Sequence, residues 1–210
     1  MTALSRRQLI TAAAALGASS AIGERRLWAA GSEVRLDFTR PLEDWETVTG
    51  KWGIEDVPGA SRGKALVQRA TNNPFNVIVA PGGPYTNVGV SVRFKPISGS
   101  EDASAGIVFR FSEGRYYVVR ANALEDNFNL YYYDRGRHQI TGARIKAPAL
   151  GQWHKLRITA EGDHIKGWLN DQHHIDHHDS RFTSGRVGLW TKADSITAFD
   201  DLVVSPMGGG

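Results

Sequence analysis

No cysteine occurs in the 210 residues. Disulfide stapling and a lipid-modified cysteine are both excluded, so an exported form must rely on core burial or on a bound metal. Beyond residue 30 no lysine and arginine cluster occurs either. The formal charge of +3 resides in the first thirty residues, where Arg6, Arg7, Arg25 and Arg26 stand against Glu24 alone. The rest of the chain is near neutral. The isoelectric point of about 9.3 therefore belongs to the N-terminus and is no argument for nucleic acid, which is not expected as a partner. Internal repeats, low-complexity linkers and, after residue 30, any sustained apolar pattern at helical spacing are also missing.

What is present begins with "SRRQLI", Ser5 to Ile10, a twin-arginine pair followed by the weakly apolar "TAAAALGASSAIG" and then by small residues towards "LWAAG". A basic start, a short apolar stretch and small residues have the form of an export signal, too short for a permanent membrane anchor. We read residues 1–30 as a twin-arginine signal, cut near Ala29-Ala30 or earlier near Gly23, leading to the periplasm or outside. Residues 31–210 then make one domain, ending in a frayed "SPMGGG" tail. No integral membrane segment is expected once the signal is removed.

Strand signals fill that domain. "NVIVA", "NVGVSVRF", "GIVFRF", "RYYVVRA", "FNLYYY", "HKLRITA", "HIKGWL", "RVGLW" and "AFDDLVV" are short and rich in β-branched and aromatic residues. Turn chemistry separates them, as in "PGGP", "SEG", "DRGR" and "TSG". Roughly a dozen strands at regular spacing predict an all-β, antiparallel two-sheet sandwich, with a closed barrel as the alternative. Alternation assigns faces. Leu156, Ile158 and Ala160 point to the core, as do Tyr117, Val119 and Ala121, and Ile107, Phe109 and Phe111. Arg110, Arg120, Asn122, Trp190 and Lys192 fall on the opposite faces.

The order of the pieces is informative. "DF" and "W…G-x-W" (Trp45, Gly50, Trp52) precede "VSVRFKP", "AGIVFRF" and "YYVVRANALEDNFNLY". After them come "GQWHKLRITAEGDHIKGWLND" and the closing "GRVGLWTKADSITAFDDLVV". Together these resemble the concanavalin A-like lectin/glucanase sandwiches, especially the bacterial exported branch grouped with 3-keto-disaccharide hydrolase domains. The resemblance implies a jelly roll of two curved sheets whose concave face meets carbohydrate. The fold hosts lectins, hydrolases and adhesion modules alike, so the activity must be argued from a site.

Sugar recognition needs planar polar groups for paired hydroxyls and an aromatic face for the C–H side of the ring. Arg110, Arg120, Asn122, Trp190 and Lys192 meet that description as ligand contacts, with Glu125 and Asn127 of "ANALEDNFN" on the rim. The competing reading pairs the arginines with carboxylates such as Glu125 or Asp126. No catalytic residue is assigned. The E-x-D-x-x-E strand of the glucanases on this fold is absent, as are G-x-S-x-G and H-E-x-x-H. Adjacent Glu125 and Asp126 do not have the opposed geometry of a hydrolase pair.

Two metal sites enter as expectations. Asp37, Asp200 and Asp201 would hold a structural calcium if the terminal strands pair. In "DQHHIDHHD" (Asp171 to Asp179), strict alternation puts His174, Asp176 and His178 on one strand face as zinc ligands, against His173, Ile175 and His177 on the other. The competing reading is a solvated strand that titrates.

Overall fold

The computed structural model describes residues 32–208. The export signal expected over residues 1–30 and the last two glycines of the tail lie outside the described residues. The strands are β1 (Val34–Leu36), β2 (Glu46–Thr49), β3 (Trp52–Asp56), β4 (Lys64–Gln68) and β5 (Phe75–Val79). They continue with β6 (Val88–Ser98), β7 (Ser104–Ser112), β8 (Arg115–Asn122), β9 (Glu125–Tyr133) and β10 (Arg137–Arg144). Last come β11 (His154–Glu161), β12 (His164–Leu169), β13 (Gln172–His178), β14 (Arg186–Lys192) and β15 (Ile196–Pro206).

One sheet runs β13-β12-β11-β6-β15-β4-β3, with β1 joined to β15, and the other runs β10-β9-β8-β7-β14-β5-β2. All pairings are antiparallel, and each sheet keeps free edges. The fold is a jelly-roll sandwich and not a closed barrel. The inner faces meet through the alternating apolar residues. Val88, Val90, Val92 and Phe94 of β6 pack with Leu156, Ile158 and Ala160 from one sheet, and with Ile107, Phe109, Tyr117, Val119, Phe128 and Leu130 from the other. Each valine, leucine, isoleucine or phenylalanine among them contributes about 1.5–3 kcal/mol on burial. Gly167 of β12 lets the sheets close: a Cβ there would come within 3.1 Å of the Phe128 ring and 3.2 Å of Ile175.

Three features depart from the sequence expectation. β2, β3, β4 and β10 are strands that its apolar-run criterion does not pick out; β10 ("RHQITGAR") is polar in composition and only partly buried. In β7 the register with β8 shifts between Phe109 and Ser112, and Arg110 takes φ 52°. This bulge moves Phe111 out of the inner core into a cluster with Tyr116, Val118 and Trp190 on the outer face. In β13 a register shift pairs Trp168 with His173 and Gly167 with Ile175, leaving His174 as the extra residue.

Candidate functional site

The outer face of the seven-stranded sheet is built from the second phase of the strand alternation. Tyr116, Val118 and Arg120 of β8, Asn129, Tyr131 and Tyr133 of β9, and Trp190 of β14 alternate with the inner-core residues of the same strands. They bury one another. Trp190 and Val118 are fully buried, Arg120 is 3 % and Tyr131 4 % exposed, yet no strand of the described residues packs over this face. Neighbouring side chains cover them: Phe75 stacks on Trp190, and Arg137 lies over Trp190 and Tyr131.

The face has an aromatic half and a polar half. Phe75 stacks on Trp190 with ring centroids 5.5 Å apart and meets Tyr133 edge-on at 5.9 Å, while Tyr116 and Tyr133 lie parallel at 5.1 Å. A cleft of about 240 Å³ opens among Thr49, Phe75, Val77, Phe111, Tyr116 and Tyr133. Burial pushes the Tyr116 phenol above its usual range, so its hydroxyl keeps its proton. Arg137, at the start of β10, lies over three of these rings, 4.5 Å from Tyr131, 5.3 Å from Phe75 and 5.9 Å from Trp190.

In the polar half Arg120 gives both terminal nitrogens to Glu125 Oε2 at 2.9 Å and donates to the Tyr131 hydroxyl at 3.2 Å. Asn127 donates to the same Glu125 oxygen at 2.8 Å, and Asn129 bridges Asn127 and Tyr131. Burial works to raise the Glu125 pKa, but Asn127 and Arg120 outweigh it and the carboxyl is held below its ordinary range. Asn129 reaches this position across Gly142 of β10, where a Cβ would collide with its amide. Lys192 sits beside this network on Asp102, 3.1 Å away.

Two buried nitrogens on this face, Arg120 Nε and Arg137 Nη1, have no hydrogen-bond partner among the described residues, while the indole N–H of Trp190 stands against the Tyr116 hydroxyl. Both unmatched nitrogens are N–H donors. Buried donors left unmatched are rare in folded proteins and costly. Here they lie beside the aromatic half of the face formed by Phe75, Tyr116 and Tyr133.

The expected ligand contacts are thus partly brought together. Arg120, Glu125, Asn127 and Lys192 lie in the polar half, with Trp190 beneath the aromatic half. Trp190 is a fully buried floor and not an exposed platform. Asn122 is also fully buried, and its Oδ1 caps the β8–β9 turn through the Ala103 and Leu124 amides. Arg110 does not belong to the face. The β7 bulge turns it to the end of the sandwich, 1 % exposed, where it binds the carbonyls of Phe182, Thr86 and Gly162. Arg137, Tyr131, Tyr133, Tyr116, Phe75 and Asn129 are the residues that sequence reasoning missed. A usable signal was there for two of them: Tyr131 and Tyr133 alternate with the inner-face Leu130 and Tyr132.

Neither metal expectation finds a converging set: among the described residues no three His, Cys, Asp or Glu side chains gather around one point. The terminal strands do pair, Leu36 opposite Leu202. Asp37, however, bonds Thr39, while Asp200 takes Ser61 N at 2.6 Å and Arg93 at 2.8 Å. Asp201 bonds Ser61 at 3.1 Å. Arg93 supplies the positive charge that a cation would bring. In β13 the bulge turns His174 onto the Phe128 ring, 5.8 Å away. Asp176 pairs with His164 at 2.6 Å and His178 with Asp163 at 3.0 Å. The bulge breaks the strict alternation on which the zinc set depended.

Similarity to known proteins agrees with this architecture. A levanase from Bacillus subtilis (strain 168) is 26% identical over 158 residues, which is 72% of this chain and 21% of that enzyme. The chain therefore spans about a fifth of the curated relative it matches. Among solved structures, the carbohydrate binding module CBM66 from Bacillus subtilis matches with a TM-score of 0.67 at 21% identity, over 77% of this chain and 95% of that one. The β-glucanase of Bacillus licheniformis follows the same sandwich, with a TM-score of 0.56 at 14% identity over 85% and 99% of the two chains. A family model spans residues 38–205, essentially the whole sandwich, and by it the chain belongs to the 3-keto-alpha-glucoside-1,2-lyase-like domain family.

Proposed function

We propose that this domain is exported and binds a glycan on the outer face of the seven-stranded sheet. The observation that supports the reading best is the pair of unmatched buried donors, Arg120 Nε and Arg137 Nη1, beside an aromatic rim. Sugar hydroxyl and ring oxygens are acceptors, and the rings of Tyr133 and Phe75 offer flat surfaces for sugar C–H groups. The relatives named as a levanase and a carbohydrate binding module point the same way, and export is supported by the twin-arginine sequence of residues 1–30.

Binding is favoured over turnover by the state of the acids. Hydrolysis by two carboxyl groups needs one held protonated and the other free to attack or to activate water. Glu125 is held ionised by Arg120 and Asn127, and Asp102 is fully buried against Lys192. Family membership keeps cleavage of a 3-keto-glycoside as the second reading, with no acid or base assigned to it.

Glycan-array binding of the mature chain, run beside a cleavage assay on 3-keto-disaccharides, tests both. Binding without turnover, weakened at least tenfold by Tyr133→Ala at unchanged fold, is the expected result. If no glycan bound, or if Tyr133→Ala left affinity unaltered, this face would not be the site.

A further inference from the structure

We infer that the glycan taken by this face carries a carboxylate, placing it in the uronic acid class, and that Arg137 is the residue that pairs with it. This inference rests on the reading of the face as a glycan site.

The charges of the face are matched with one exception. Arg120 is neutralised by Glu125 at 2.9 Å, and Lys192 by Asp102 at 3.1 Å. Arg137 forms no ion pair and no side-chain hydrogen bond among the described residues, and its Nη1 is buried. The rings of Tyr131, Phe75 and Trp190 engage the guanidinium through π contacts, the nearest centroid at 4.5 Å. Cation–π attraction is weaker than a desolvated ion pair and leaves the five in-plane N–H donors unused. The rings thus fix the orientation of a charged fork without matching its donors. A carboxylate is the planar, two-oxygen acceptor that such a fork pairs with most strongly. A neutral hydroxyl would satisfy one donor and leave the charge unmatched in a partly desolvated site.

The test uses the full chain and calorimetric titration with oligogalacturonate, oligomannuronate and oligoglucuronate. Each is paired with the same oligosaccharide after reduction of its carboxyl groups to alcohols. We expect at least one acidic form to bind, its reduced counterpart to bind at least tenfold more weakly, and added salt to narrow the difference. Arg137→Gln should erase the preference for the acid, and Arg137→Lys, which keeps the charge but loses the fork, should retain part of it. Arg62→Gln, which changes an exposed cation on the loop beside the other sheet, should leave it intact. Equal binding of acidic and reduced forms, both weakened by Tyr133→Ala, would overturn the carboxylate inference and leave the glycan site standing. Retention of the acid preference in Arg137→Gln would remove Arg137 from it. Failure of every sugar, acidic or neutral, would overturn both readings.

Discussion

Arg120 on β8 and Glu125 on β9 meet across the tight turn that joins their strands, both terminal guanidinium nitrogens lying 2.9 Å from a single carboxylate oxygen. The arginine side chain is 4 % exposed and the glutamate 42 %. The buried member is therefore the cation, and it depends on its partner more than the partner depends on it. Glu125→Gln should cost about 1–3 kcal/mol, less than the loss of a fully buried pair because Glu125 is partly solvated. Urea unfolding of the two proteins at pH 7 measures this. A change below a few tenths of a kcal/mol would mean that Arg120 finds another acceptor. Arg120→Ala, by the same argument, must lower stability and cannot serve as a clean test of binding.

The acid limb of stability should be traceable to Asp194. Its carboxylate accepts from the Ser100 hydroxyl at 2.7 Å and from the backbone N–H groups of Ser100, Glu101 and Asp102. These bonds hold its pKa far below the ordinary value of 3.8. The folded form therefore binds fewer protons than the unfolded form as pH falls. The stabilisation is complete above pH 3.8 and is lost as pH drops through the folded-state value. The stability gap between wild type and Asp194→Asn should be about 1–2 kcal/mol at pH 7 and shrink below pH 3.8. A gap independent of pH would sink the assignment.

Arg110 is a structural pin at the end of the sandwich. Its guanidinium holds the carbonyls of Phe182, Thr86 and Gly162, which come from three separate loops. Arg110→Ala should cost about 2–4 kcal/mol, because three acceptors lose their donor in a buried setting. Glycan affinity, measured well below the melting temperature, should stay within about twofold of wild type. A selective loss of affinity at unchanged stability would return Arg110 to the binding site.

Calcium should be dispensable. With Asp200 on Arg93 at 2.8 Å and on Ser61 at 2.6 Å, a chelator is expected to leave Tm unchanged. Arg93→Ala should lower stability by about 1–3 kcal/mol through the unmatched Asp200, which is fully buried. If calcium raised the Tm of the wild-type chain, the arginine would not be the resident cation.

The sandwich was legible because β6, β11 and β12 each alternate cleanly over about six residues or more, and one face of each is buried in a common core; β8 is buried on both faces. Period-two alternation says which residues share a face, so Arg120 and Trp190 were placed correctly relative to the core. It does not say whether the other face is open. Trp190 reads as an exposed platform in sequence and is fully buried in the fold, since the side chains of Phe75 and Arg137 cover it. Bulges defeated the pattern where one inserted residue inverts every later side chain, at Arg110 in β7 and at His174 in β13. Arg137 escaped notice because an exposed edge strand needs no apolar alternation, so β10 has the composition of a loop.

By itself the sequence determined the class of fold, the inner face of most strands and the turn chemistry between them. These follow from local backbone preference and from the need to bury every second side chain. Only the tertiary structure decided which polar groups meet. Arg120 was matched to Glu125 and Arg93 to Asp200, while the histidines and aspartates of β12–β13 were distributed among separate partners. It also brought Arg137 from the sheet edge over the rings of Phe75 and Trp190. Arg120 and Glu125 are neighbours across one turn, a pair the sequence already offered. Arg93 and Asp200, and Arg137 and the rings of Phe75 and Trp190, are far apart in the chain, so sheet register, which no single segment encodes, sets their distances.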